Sequence, residues 1–243
     1  MYTLYRKELA SFFSSLIGYL VISLFLVTNG LFLWVLPGQY NILDNGYATL
    51  GPVFYFAPWI FLFLIPAISM RMFSDEKNTG TIELLYTKPI SDYQIIFAKY
   101  FATLSLVVFS LLPVFIYYIS IWYLSNPVGN IDVGAFWGSL IGLLFLAAVY
   151  VAIGVFSSAL TQNQIVAFIV AVALSYFIYL GFDSIAYISW FKGIENFILG
   201  LGIADHYRSI SRGVVDSRDI IYFISVIVLF TALTKLKLES RKY

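Results

Sequence analysis

The sequence predicts an all-α integral membrane protein with six transmembrane helices, and two observations carry that reading. Hydrophobic residues make up 61% of the 243 and charged residues only 11%, where soluble chains carry about a quarter charged. The apolar residues also gather into runs near 17–36, 52–70, 95–122, 136–157, 165–182 and 219–236. Each is long enough for the ~20 residues of helix that cross a hydrocarbon core. Helices suit that core because they pair every backbone N–H and C=O within one segment.

Ahead of the first run, residues 2–16 have helical amphipathic spacing. Tyr2, Tyr5, Leu9, Phe12, Phe13 and Leu16 form a stripe, with Thr3, Lys7, Ser11 and Ser14 opposite and Leu4 out of place. That pattern predicts an N-terminal helix lying in the membrane interface. The first run is longer than a signal-peptide core and lacks a small-x-small cleavage site, so it is read as a span. VLPGQYNILDNGY and LSNPVGNID are the loops after the first and third spans. In the fourth span Gly138 and Gly142 make a GxxxG pair, read as close helix packing rather than a dimer seam. Before the last span, 185–203 is broken by Lys192, Gly193, Glu195 and Asn196. Tyr187, Trp190, Phe191, Ile194, Ile198 and Leu201 nevertheless share a face there, which predicts an outer-leaflet helix. His206, just beyond, is read as solvated. The last span is the weakest, with Lys235 snorkelling from its end. With no internal repeat, 1–243 reads as a single transmembrane domain.

Direction follows from the basic residues. An N-terminus in the cytoplasm places Arg6, Lys7, Arg71, Lys77, Lys88, Lys99, Lys235, Lys237, Arg241 and Lys242 inside, and Lys192, Arg208, Arg212 and Arg218 outside. The positive-inside rule favours that orientation, with both termini cytoplasmic.

Several chemistries find no support. There is no cysteine, so disulfides, thiolate metal sites and thiol catalysis are excluded. The net charge of +1 gives no reason to expect nucleic acid. Ion-coupled transport calls for ionisable groups inside the spans, and the span middles carry none; Asp183 and Lys99 sit at ends, where an interfacial role suffices. The one histidine, His206, belongs to no HExxH, and no GxSxG is present. A P-loop needs Gly-Lys, a dipeptide the chain lacks. No catalytic, cofactor-binding or metal-ligating residue is predicted. Energy for any uphill transport must come from another polypeptide.

The place for it to enter is a polar island, RMFSDEKNTGTIELLYTKP, residues 71–89. Asp75 to Asn78 read as a solvated turn, and Thr79-Gly80 as a helix break. Ile82, Leu85 and Tyr86 then share one face of a short helix, with Glu83 in its first turn, where a carboxylate suits the helix dipole. Lys88-Pro89 stops it, and Ser91-x-x-Gln94 is a capping box that starts the next helix. On pattern alone this is either a docking element or an ordinary interfacial hairpin helix.

The segment SDEKNTGTIELLYTKPISDYQIIFAKY resembles the link between the second and third spans of type-2 ABC-transporter permeases. The family's E-x-x-x-G-T-x-E-x-L-x-x-x-P, with a lysine at the base of the next span, is matched by Glu76, Gly80, Thr81, Glu83, Leu85, Pro89 and Lys99. KEL-x-x-FF-x-S-x-x-GYL from Lys7, SRGVVDSRDIIYF before the last span, and the length agree as well. More narrowly, the chain resembles the permeases of gliding-motility machinery. The resemblance implies an export-type permease of the bacterial inner membrane, paired with a second permease, an ABC ATP-binding subunit and an accessory gliding-motility subunit. ATP and Mg would be held by the ATPase. Glu76 and Gly80 to Pro89 would form a cytoplasmic coupling helix, with Ile82, Leu85 and Tyr86 as its apolar contact and Glu83 as its polar one. Arg6, Lys7 and Glu8 would border the ATPase, or anchor lipid headgroups. A membrane scaffold and an uncoupled six-span channel stay open as alternatives.

Overall fold

A computed structural model describes residues 1–188, 190 and 193–240. In chain order the helices are α1 Tyr2–Ser14, α2 Leu16–Gly30 with a π-helical end Leu31–Val35, and α3 Ile42–Asn45. There follow α4 Gly51–Ser69, α5 Arg71–Asn78, α6 Ile82–Tyr86, α7 Asp92–Leu111 and α8 Val114–Leu124. The rest are α9 Val133–Leu160, α10 Gln164–Tyr176 with a π-helical end Phe177–Gly181, α11 Phe182–Ala186, α12 Glu195–Leu199, α13 Ile203–Ser211 and α14 Ser217–Glu239. There is no strand among the described residues.

Six helical segments are long and apolar enough to cross a membrane: Leu16–Val35, Gly51–Asn78, Asp92–Leu124, Val133–Leu160, Gln164–Ala186 and Ser217–Glu239. The third is bent where Pro113 separates α7 from α8, because proline lacks the N–H that would continue the ladder. Around α9, buried along most of its length, pack α4, α10, α13 and α14. Such burial explains why α9 is apolar on every side. The GxxxG pair serves this packing. A Cβ on Gly138 would lie 2.5 Å from the Ile210 carbonyl oxygen, and one on Gly142 would lie 3.3 Å from the Tyr207 ring. Both glycines therefore admit α13 of the same chain.

Pro58 inside α4 cannot donate to the Phe54 carbonyl. Tyr207 of α13 supplies the missing donor at 2.8 Å. Burial pushes that phenol's pKa above its ordinary value, so it stays a donor.

Side-chain contacts sort the loops into two groups. Lys235 near the end of α14 lies over the Tyr93 ring at the start of α7, and Gln164 at the start of α10 bonds Asp75 of α5. α1, the island, the α9–α10 turn and the end of α14 therefore share one end of the bundle. Residues 36–51, 124–133 and the described residues of 183–217 lie at the other.

Two expectations about helix faces are corrected. α1 buries Leu4, Glu8 and Phe12, while Tyr2 and Leu16 are exposed. Leu4 belongs to the buried face because α1 packs on α7, with Tyr5 Oη 3.0 Å from Ser105 Oγ. Nor do the described residues of 185–203 form a single helix: α11 ends at Ala186, and the short α12 precedes α13. Tyr187, Trp190, Ile194 and Phe197 are exposed, whereas Ile198 is buried. Phe191 and Lys192 of that segment, and Arg241 and Lys242 of the charge count, lie outside the described residues.

Because the chain lacks cysteine, sidedness is directly measurable. Asn78, Asn45 and Ser217 are exposed, Asn78 at the island end and the other two opposite. Single cysteines at Asn45 and Ser217 are expected to react with an impermeant thiol reagent in intact cells, and one at Asn78 only after permeabilisation. The reverse pattern would invert the orientation.

Candidate functional site

The island begins at a hinge. At Met70 the ladder between α4 and α5 is interrupted by Ser158 of α9, whose hydroxyl accepts from the N–H groups of Phe73 at 2.8 Å and Ser74 at 3.0 Å. It donates in turn to the Met70 carbonyl at 2.8 Å. A side chain inserted into the i→i−4 ladder is one of the identifiable causes of a helix kink. Gly154 makes the approach possible, since a Cβ there would sit 1.9 Å from Ser69 Oγ.

Asp75 to Lys77 are helical, not a solvated turn, and this corrects the expectation. Their polar groups have partners inside the protein. Lys77 is buried and donates to the Ala159 carbonyl in the last turn of α9, one of the acceptors a helix end leaves unpaired. Asp75 accepts from Gln164 at 3.0 Å. Glu76 reaches Lys99 of α7 at 2.9 Å.

Lys99 is the centre of the site. Its side chain is 1% exposed, and its ammonium lies 3.1 Å from Glu8 of α1 as well as 2.9 Å from Glu76 of α5. The Phe73 ring lies 5.2 Å away. Lys7 approaches the same two carboxylate oxygens from the solvent side, at 3.4 and 3.5 Å. Burial works against the Lys7 charge, but Glu8 and Glu76 outweigh it and raise its pKa above the ordinary 10.5. Two acids and two bases thus balance where three helices meet. Lys99 is buried within the bundle rather than exposed at its surface, and Glu8 is turned inward against it. Arg6 remains exposed.

From α5 the chain turns at Gly80, with φ of 72°, a left-handed conformation that favours glycine. Thr79 Oγ1 donates to the Asp75 carbonyl and lies 2.9 Å from Thr81 Oγ1. In α6, Ile82 is buried and Leu85 packs against the protein's own core. Glu83, Leu84 and Tyr86 are exposed, Leu84 at 65%. The apolar face predicted for a partner is therefore largely consumed as a seat, and Leu84 is the residue the sequence pattern overlooked. Pro89 follows the helix, and the capping box forms as predicted, with Ser91 N–H to Gln94 Oε1 at 3.1 Å and Gln94 N–H to Ser91 Oγ at 3.4 Å.

A family model described as ABC-2 family transporter protein matches residues 2–236. The chain belongs to this family. It is a multi-pass membrane component of an ABC transporter, and membership implies an ABC ATP-binding partner in general. No curated protein matches the chain.

The far end of this ABC-2 family protein holds a second polar group that sequence reasoning treated as solvated. His206 Nδ1 lies 2.7 Å from Asp219, its Nε2 lies 2.9 Å from the Gly200 carbonyl, and its ring stacks on Tyr222. Arg208 pairs with Asp183 at 2.6 Å. These contacts fasten α12 and α13 to the flanking spans. Nearby, a cavity of about 330 Å³ opens between α4, α9 and α13, lined by Phe54, Tyr55, Phe136 and Tyr207 with Arg208 and Arg212.

Removing Lys99 leaves two carboxylates facing each other without their buried counter-charge. Lys99→Met is expected to cost about 3–5 kcal/mol, the usual penalty for breaking a buried pair from one side. The check is thermal unfolding of purified protein in detergent, with Lys99→Arg expected to lose much less. Equal loss from both variants would refute the charge argument.

Proposed function

We propose that this chain is an export-type ABC permease whose α6 receives the motion of a separate ATP-binding subunit. The observation that carries the reading is the form of α6. It is a five-residue helix, exposed on one face, seated by its other face, and joined to two spans without slack. Glu83, Leu84 and Tyr86 supply a contact of one acid, one aliphatic and one aromatic side chain. Gly80 and Thr81 set the entry, and Pro89 sets the exit. Glu76 acts behind the contact, through Lys99. The ATPase binds ATP and Mg, and two permeases work as a pair, with both termini and the island in the cytoplasm of a bacterial inner membrane. The charge asymmetry supports that orientation. The resemblance to gliding-motility permeases supports a place in that machinery.

Truncating Leu84 and Tyr86 together removes apolar contact worth about 2–4 kcal/mol by area, an upper figure because association has its own costs. Leu84→Ala with Tyr86→Ala is expected to leave the permease folded but to lose the ATPase on purification. Ile82→Ala is expected instead to lower the unfolding temperature, because Ile82 is part of the seat. Glu83→Arg should keep part of the complex and reduce substrate-stimulated ATP hydrolysis. If ATPase association and hydrolysis survived all three changes, α6 would be an interfacial hairpin and no more.

A further inference from the structure

We infer that Lys99 is a positioning residue that clamps α1 to the α5–α6 arm, so that the N-terminal helix moves with α6 as one body; the coupling half of this inference rests on the function proposed above. α1 has a joint at its base. Ser15 separates it from α2 in an extended conformation, φ −104° and ψ 156°, so backbone continuity does not fix its direction. At the other side of the cluster, α5 is fastened to α9 by Ser158 and Lys77 and to α10 by Asp75. Lys99 bridges these two bodies. Its single ammonium holds Glu8 of α1 and Glu76 of α5 at once. Lys7 reaches across the same gap from outside, ending on Glu76.

The alternative roles of this cluster make different demands. A charge that served only to mark a membrane boundary would point into solvent, yet the Lys99 side chain is 1% exposed. A pair that served only to stabilise two adjacent helices would need one acid. Here the two acids come from helices separated in sequence by two membrane-crossing helices, α2 and α4, and the loop between them, and both lie against the same nitrogen. That geometry resists relative displacement of α1 and α5. Moving either helix away takes from the buried ammonium one of its two carboxylates, a loss that a buried charge tolerates poorly. Displacement of α6 by a partner is therefore passed on to α1 through Glu76, Lys99 and Glu8.

The test uses the cysteine-free chain with spin labels at Ala10 and Thr87, both exposed. The full-length permease is purified in detergent and the distance between the labels is measured by pulsed electron resonance. The wild-type background is expected to give one narrow distribution. The triple variant Glu8→Gln, Glu76→Gln and Lys99→Met removes the three central charges, leaves only the solvent-facing Lys7 of the cluster and is expected to remain folded. Its distribution should broaden, while Lys99→Arg alone should keep it narrow. A narrow, unshifted distribution in the folded triple variant overturns the clamp. If the triple variant fails to fold, Lys99→Gln with Glu76→Gln is measured the same way, and a narrow distribution there overturns it equally.

With the ATPase present, the triple variant should still form the complex, because Glu83, Leu84 and Tyr86 are untouched. The stimulation of the ATPase's hydrolysis by the permease, measured with the two purified subunits and ATP, should fall by about five-fold or more, the range of a real coupling energy. Full stimulation in a variant whose distribution has broadened overturns the coupling half. A wild-type permease that binds no ATPase at all would sink the permease reading, while the spin-label distance still decides the clamp.

Discussion

A lysine side chain withdrawn from water costs several kcal/mol unless its charge is met where it lies. In this chain that requirement organises one whole end of the molecule. Meeting the Lys99 charge brings Glu8 of α1 and Glu76 of α5 together at one ammonium. That meeting sets the face on which α1 packs and the rotation of α5 about its own axis. Once α5 is so turned, Lys77 points at the end of α9 and Asp75 at the start of α10. The exit of α5 at Gly80 then has a fixed direction, and α6 inherits it. Charge satisfaction thus does at the membrane surface what apolar packing does within the spans.

Within the spans the governing constraint is backbone pairing. Hydrocarbon offers no hydrogen bonds, so an interrupted ladder must be completed by the protein itself. Three side chains complete it here. Tyr207 supplies the donor that Pro58 lacks, Ser158 serves two amides and a carbonyl at Met70, and Lys77 occupies the Ala159 carbonyl. Serine and threonine hydroxyls elsewhere return to carbonyls of their own helices, as Ser69, Thr103, Ser157 and Thr234 do. The outcome is that these three gaps in backbone pairing are also fastening points. α9 receives two of the three, at Ser158 and Ala159, which suits its place at the centre of the bundle.

What the sequence made legible divides along the same line. The six spans and the Ser91–Gln94 capping box were readable because hydropathy and capping are local properties. Helix faces were harder to read. Leu4 looked misplaced in α1 because the buried face is chosen by Lys99, far along the chain. Asp75 to Lys77 looked solvated because polar residues beside a glycine usually are, and nothing local reveals that Ser158, Ala159 and Gln164 will meet them. His206 misled for the same reason, its partners being Asp219 and the Gly200 carbonyl. For α6, Ile82 and Leu85 do share a seated side, but Tyr86, read onto the same face, is exposed. Periodicity shows that Ile82 and Leu85 share a side, but not whether that side meets its own chain or another.

The answer for α6 follows from its length. An isolated helix of five residues has no stability in water, since nucleation alone outweighs the few hydrogen bonds it makes. Such a helix needs a seat before it can present anything. Ile82 and Leu85 provide that seat on the protein's own core, and the turn at Gly80 and the stop at Pro89 hold its ends. Had the same residues faced outward to meet a partner, the helix would have to fold at the moment of contact and spend binding energy on its own ordering. With the seat made in advance, Glu83, Leu84 and Tyr86 are displayed at little entropic cost, so that on the proposed reading a push on them would pass into α5. The side of Ile82 and Leu85 holds the helix, and the other side stays exposed.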